Sequence, residues 1–199
     1  SEGSYPMLRI GEGASGVTVT HNTIRGAYRG IGVGDCTDTC GTNATITDNI
    51  IKWNDTGIFI AGTDDNTIRN NDIFENEQGI EFYDTFGAPT GNLIDRNHIH
   101  ENGRNGIYLE GTNNTIQYNL IERNGLYSGA SSTGGISIAG PGNGNTLDHN
   151  TIQNNGWHGI ELNSATHATL TISNNIVSSN GSQFGAGNPS GILLLASGS

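Results

Sequence analysis

The stretch Asn66-Thr67-Ile68-Arg69-Asn70-Asn71-Asp72-Ile73-Phe74-Glu75-Asn76-Glu77-Gln78-Gly79-Ile80 holds one copy of a pattern that runs through the whole chain. Ile68 stands three places before Asn71 and Ile73 two places after it, Asn76 follows five places after it, and the pair Gly79-Ile80 opens a third short segment. Aligned on Asn71, the column reads Asn22, Asn49, Asn71, Asn97, Asn119, Asn150 and Asn175. Val19, Ile46, Ile68, Ile94, Ile116, Leu147 and Ile172 precede these, and Ile24, Ile51, Ile73, Ile99, Ile121, Ile152 and Val177 follow. A second asparagine recurs as Asn54, Asn76, Asn102, Asn124, Asn155 and Asn180. The Gly-Ile pairs begin at Gly30, Gly57, Gly79, Gly106, Gly135, Gly159 and Gly191. Column asparagines lie 22 to 31 positions apart, the period of a solenoid.

Segments of three to five residues with β-branched side chains alternating inward and outward are strands, not helices. Three strands per repeat make an all-β parallel β-helix of about seven rungs, in which identical residues stack at the strand spacing of about 4.8 Å. A corner asparagine tolerates a left-handed backbone and hydrogen-bonds to the asparagines above and below it, so the ladders are framework. Seven rungs make a stack roughly 34 Å long and a single quasi-linear core, so residues 1–199 are expected to form one domain. The aliphatic columns supply that core although only 33% of the chain is hydrophobic, and the 31 glycines belong to turns.

Eight Lys and Arg face 19 Asp and Glu, a net charge of −11 that excludes nucleic acid, anionic lipid and polyanions as partners. The two cysteines, Cys36 and Cys40, share one turn; a local disulfide fits them better than a metal, because two thiolates fill half a zinc shell. That pairing points to export, to a secreted or cell-surface setting. No signal peptide or membrane-spanning run is present, and the chain starts on a partial rung (Leu8, Ile10) and stops after Ile192-Leu193-Leu194-Leu195 without a polar cap. An excised piece of a larger protein, with a neighbouring domain against an end, is the expectation.

Insertions at Tyr83–Thr90, Gly125–Gly134 and Gly181–Ser190 all border the Gly-Ile strand, and loops clustered on one face of a solenoid mark its binding face. Counting by twos from each Ile places two columns on the outer face of that third sheet. One holds Gly32, Phe59, Glu81, Tyr108, Ser137, Glu161 and Leu193; the other holds Gly34, Ala61, Tyr83, Glu110, Ala139, Asn163 and Leu195. Trp157 and His158 lead into the sixth of these strands. Sugar rings stack on aromatics and their hydroxyls bond to carboxylates and amides, so Phe59, Tyr83, Tyr108 and Trp157 form a candidate platform. Glu81, Glu110, His158, Glu161 and Asn163 complete the polar set.

The repeats, with Asn66-Thr67-Ile68, Asn114-Thr115-Ile116 and the Gly-Ile pairs, resemble the right-handed parallel β-helix superfamily of pectate-lyase-like proteins. It includes alginate lyases and epimerases, sugar-hydrolase repeat proteins and non-catalytic carbohydrate-binding modules. The resemblance spans about the whole chain and implies fold more than function. The epimerases' Asp-Pro-His motif is missing, because the chain contains no Asp-Pro dipeptide. Leu147-Asp148-His149-Asn150 looks like the Asp-His segment of pectate lyases, but His21 fills the same place before Asn22, so His149 is a corner residue.

The expected function is that of a non-catalytic module binding an extended plant-type glycan such as xylan, appended to a catalytic domain. Two enzyme alternatives stand beside it. Glu81 and Glu110 lie one rung and two residues apart, roughly 8 Å between backbones, within the ~6.5–9.5 Å of an inverting hydrolase pair. Lys52 and His100, two rungs apart at about 9.6 Å in the column Arg25, Lys52, Phe74, His100 and Glu122, are the candidates for a lyase. A cell-surface structural repeat is the third class. No cofactor is required, although Asp35, Asp38, Asp64, Asp65 and Asp84, in turns leaving the third sheet, offer oxygen ligands for calcium.

Overall fold

The computed structural model describes residues 6–11, 13–34, 43–126, 134–140, 142–163, 169–181 and 190–194. These form three parallel sheets that wind past one another as a β-helix. The first sheet has seven strands, from Thr18–Thr20 to Thr171–Ser173, and the second has seven, from Thr23–Arg25 to Ile176–Ser178. The third has eight, beginning with Pro6–Ile10 and ending with Ile192–Leu194. Most strands of the first two sheets are three residues long because a corner intervenes at once; only the central side chain points inward. Ile46, Ile68, Ile94 and Ile116 of the first sheet and Ile51, Ile73, Ile99 and Ile121 of the second are fully buried in this way. Register is strict: Ile46 pairs with Ile68, Ile68 with Ile94, and Ile94 with Ile116. Each isoleucine taken from water into this column stabilises the fold by on the order of 1.5–3 kcal/mol.

All three corners carry an asparagine ladder. In the first, Asn71 donates from its backbone N and its Nδ2 to Asn97 Oδ1 at 2.9 and 3.0 Å, and Asn97 does the same to Asn119. The second ladder, through Asn54, Asn76, Asn102 and Asn124, repeats this geometry. The third joins Asn66, Asn92, Asn114 and Asn145 where the third sheet turns into the first. The third is as regular in the sequence as the first two, with Asn66, Asn92, Asn114 and Asn145 each five places before Asn71, Asn97, Asn119 and Asn150, although the columns aligned above did not include it.

The left-handed residue is not the ladder asparagine but the one before it. His21, Asp48, Asn70, Arg96, Tyr118, His149 and Asn174 have φ between 53° and 58° at the first corner. Trp53, Glu75, Glu101, Arg123, Asn154 and Ser179 have φ between 51° and 58° at the second. Placing a large side chain there costs about 1–2 kcal/mol, and the ladder bonds at the next residue offset it.

The partial first rung is present: Pro6–Ile10 pairs in parallel with Arg29–Gly34, and Ile10 is buried. On the last strand Ile192 and Leu194, inward by parity, are 43% and 66% exposed. Among the described residues no helix is long and apolar enough to cross a membrane. Cys36, Cys40, Leu195 and most of the insertions at Gly125–Gly134 and Gly181–Ser190 lie outside the described residues.

Candidate functional site

The third sheet brings Phe59, Glu81 and Tyr108 into one row, with Glu81 paired to Phe59 on one side and Tyr108 on the other. Phe59, expected as an open stacking surface, is only 4% exposed. The Arg29 guanidinium lies over its ring at 3.4 Å and closes it from solvent. Tyr83 is exposed, with its ring 6.3 Å from that of Phe59.

Glu81 is half-buried beneath this layer. Thr56 Oγ1 donates to Glu81 Oε2 at 3.2 Å. Burial pushes the Glu81 carboxyl above its ordinary range, and Glu110 adds to that push; the Thr56 hydrogen bond, Arg29 and Arg104 oppose it. The Tyr108 hydroxyl donates to Glu110 Oε1 at 2.7 Å, and the backbone N–H of Asp84 donates to Glu110 Oε2 at 3.3 Å. Burial, reinforced by that bond and the Glu110 charge, raises the Tyr108 phenol well above the ordinary tyrosine range.

Beside Glu81 the sheet's entering edge opens into a cavity of about 190 Å³, lined by Tyr28, Asp55, Thr56, Glu77, Gln78, Glu81 and Arg104. Arg104 is tied to Glu77 by a 2.9 Å ion pair. Gln78 is 8% exposed, yet its Nε2 has no hydrogen-bond partner. A buried amide left unpaired costs about 1–3 kcal/mol. Gln78 Nε2 is itself shielded from solvent, so a group entering the cavity meets this donor capacity only when the side chain turns.

Counting by twos missed Tyr28, Asp55, Thr56, Glu77 and Gln78. A Cβ on Gly57 would meet Ile73 Cγ2 of the core at 3.1 Å, so Gly57 points inward, as does its neighbour Ile58. Two successive inward positions reverse the alternation, and Thr56 and Gln78 face outward where unbroken parity sends them inward. The available signal is a polar residue at an apparent core position.

Farther along the sheet the expected groove is closed. His158 and Glu161 are buried, at 4% and 6% exposure, rather than open to a ligand. His158 Nδ1 accepts from the Ser190 backbone N–H at 2.9 Å, and half-buried Trp157 stands edge-on to its ring at 5.3 Å. Asn163 Nδ2 donates to Ser137 Oγ at 3.1 Å. The open part of the face is thus the stretch from the cavity through Glu81 and Tyr108 to Tyr83 and Glu110.

The remaining candidates separate. Between Lys52 and His100 the register inserts Phe74, whose ring stacks on His100 at 4.9 Å and lies 5.1 Å from Lys52 Nζ. His149 is a left-handed corner residue stacked on Tyr118 and bonded to Asp148. Of the five aspartates, Asp35 and Asp38 lie outside the described residues, and Asp64 accepts the Thr90 backbone N–H at 2.9 Å. Among the described residues, the group of three His, Cys, Asp or Glu side chains at metal-ligand distances is Asp72, His98 and His100, on the second sheet.

The chain is similar in structure to the A-module of the mannuronan C-5 epimerase AlgE4 of Azotobacter vinelandii. Identity is 15%, the TM-score is 0.72, and the match covers 94% of this chain and 58% of that one. It is also similar to the periplasmic alginate epimerase AlgG (23% identity, TM-score 0.61, 81% of this chain and 36% of that one). The pectate lyase Pel9A matches with 18% identity and a TM-score of 0.55 over 86% of this chain and 58% of that one. At these identities the likeness is one of fold, and the chain spans between about a third and three fifths of those proteins. No curated protein matches the sequence. The family described as the right-handed β-helix region matches residues 8–140 and again residues 39–199. With the repeat pattern and the three stacked sheets already pointing the same way, the chain belongs to the right-handed β-helix family.

Proposed function

We propose that the outer face of the third sheet binds an extended polysaccharide without cleaving it. The observation that carries this is the cavity of about 190 Å³ beside Glu81, with the unpartnered Gln78 Nε2 in its wall. A sugar hydroxyl is the kind of group that completes such a site: it accepts from Gln78 Nε2 once that side chain turns toward the cavity, while donating to Asp55, Glu77 or Glu81. Tyr28 in the wall and Tyr83 farther along supply apolar ring faces for stacking. Three carboxylates and one arginine line the cavity, and that arginine is already paired with Glu77, so a neutral glycan such as xylan fits better than a uronate polymer. The structural neighbours named above are an epimerase module, a periplasmic alginate epimerase and a pectate lyase, which supports a polysaccharide ligand. We place the protein outside the cytoplasm, as an accessory part of a larger carbohydrate-active protein.

A second function draws on the raised carboxyl of Glu81 near Glu110, the pattern of an acid and a base in an inverting hydrolase. One experiment separates the two. The protein is run in affinity gels containing neutral or anionic polysaccharides, and the same substrates are assayed for new reducing ends and for unsaturated products. Retardation on a neutral glycan without product is expected. Tyr83→Ala weakens that retardation by about three- to tenfold, the worth of one stacked ring. Gln78→Met weakens it too, while leaving the free protein at least as stable, because it removes the unpaired amide. Unchanged retardation in both variants moves the site off this sheet, and reducing ends lost in Glu81→Gln establish the hydrolase.

A further inference from the structure

We infer that Asp72, His98 and His100, on the outer face of the second sheet, form a binding site for a divalent first-row transition ion such as zinc. His98 and His100 are alternate residues of the strand His98–His100, so both imidazoles leave the same face. Asp72 stands on the preceding rung, paired in register with His98. Asp72 Oδ1 lies 3.0 Å from His100 Nε2 and 3.5 Å from His98 Nδ1, and the three ligand atoms fall within 4.8 Å of one another. Two ligands of a tetrahedral ion at about 2.1 Å stand about 3.4 Å apart, so small side-chain shifts admit the ion. Two imidazoles and one carboxylate select zinc and its neighbours over calcium or magnesium, which prefer all-oxygen shells.

The groups behind the three ligands strengthen the assignment. A metal-bound imidazole needs an acceptor for its other N–H. His98 Nε2 has Glu122 Oε1 at 3.3 Å, and buried His100 Nδ1, which has no hydrogen-bond partner, faces Glu101 Oε2 at 3.9 Å. Arg123 fixes both carboxylates at once, through Nη1 to Glu122 at 2.8 Å and Nε to Glu101 at 3.0 Å. Phe74 holds the His100 ring from the opposite side, with centroids 4.9 Å apart. Asp72, Glu101 and Glu122 carry three negative charges against the single positive charge of Arg123, and a divalent ion balances the remainder. Asp72 and His98 are partly exposed, so water completes the coordination shell.

Tag-free protein stripped with chelator and dialysed against zinc chloride is expected to take up one zinc per chain. His98→Gln and Asp72→Asn, both conservative changes at partly exposed positions, are expected to weaken uptake by about tenfold or more with unchanged circular dichroism. His21→Ala and the double variant Cys36→Ser with Cys40→Ser are expected to bind as the parent does. Zinc is also expected to shift the imidazole resonances of His98 and His100 in the unmodified protein and to leave those of His21 and His149 in place. Uptake below half an ion per chain, uptake that survives both site variants, or uptake lost with the cysteines overturns the assignment, as does an unshifted His98.

Discussion

Glu81 and Asp148 are both carboxylates on outer faces of the solenoid, and their surroundings give them opposite linkage to pH. Burial raises the Glu81 carboxyl above its unfolded value of 4.5, so its stabilising effect is complete below that value and is lost as pH rises through the raised one. In Asp148 the Ser173 hydroxyl, then His149 and Asn174, hold the carboxyl down to about 2 from 3.8. Its effect is complete above 3.8 and is lost as pH falls towards 2. Melting temperatures of the parent and of Glu81→Gln, taken at about pH 4 and about pH 7, isolate the first of these, since the other carboxylates cancel in the difference. The parent is expected to lose ground to the variant as pH rises; a constant difference means Glu81 is not desolvated. The sequence showed that Glu81 faces out, and it did not show the depth at which Arg29 and Phe59 enclose it, because a guanidinium lying over a ring is a matter of rotamers, not of spacing.

At the scale of the strand, the first and second sheets were legible almost completely, because a three-residue strand leaves one inward place and Ile fills it repeatedly. The third sheet was legible only past its Gly-Ile pairs. Gly57 sits where a Cβ would approach the Gly79 carbonyl oxygen at 2.6 Å, so glycine there permits neighbouring rungs to close at the corner. The same closeness reverses the alternation and turns Thr56 and Gln78 out into the cavity wall. Gly57→Ala is expected to destabilise the protein by about 1–3 kcal/mol, seen as a lower denaturant midpoint at constant slope. A change under about 0.5 kcal/mol would show that the corner yields freely. Tyr28 and Arg104 escaped the same count because they precede strands instead of lying in them.

The whole molecule is a stack in which each rung touches chiefly its two neighbours, so protection from opening accumulates towards the middle. Ile73, Ile99 and Ile121 are fully enclosed, Val177 only partly, and Ile176 is 61% exposed. Amide exchange is expected to be slowest in the strands around Ile73 to Ile121 and faster by about tenfold or more at 171–178. Uniform protection along the chain would mean that the rungs open together. The proposed metal site falls on these slow central rungs, and the proposed glycan site, on another sheet, reaches from them back to Tyr28 and Asp55 on the first two rungs.

The ladders have a direction. From Asn22 to Asn150, every rung of the first corner gives the N–H groups of its ladder asparagine to the side-chain oxygen of the asparagine on the rung that follows. From Asn49 on, the same Nδ2 also donates to a backbone carbonyl on the rung before. A cut between two of these rungs therefore separates the asparagine Oδ1 acceptors of one surface from their N–H donors on the other, while the strand backbones leave groups of both kinds on each. The asparagine ladders continue only where two unlike surfaces meet. The solenoid is a vector with distinguishable poles: a duplicated rung fits into it in one orientation, and an end-to-end contact that continued the ladders would run head to tail.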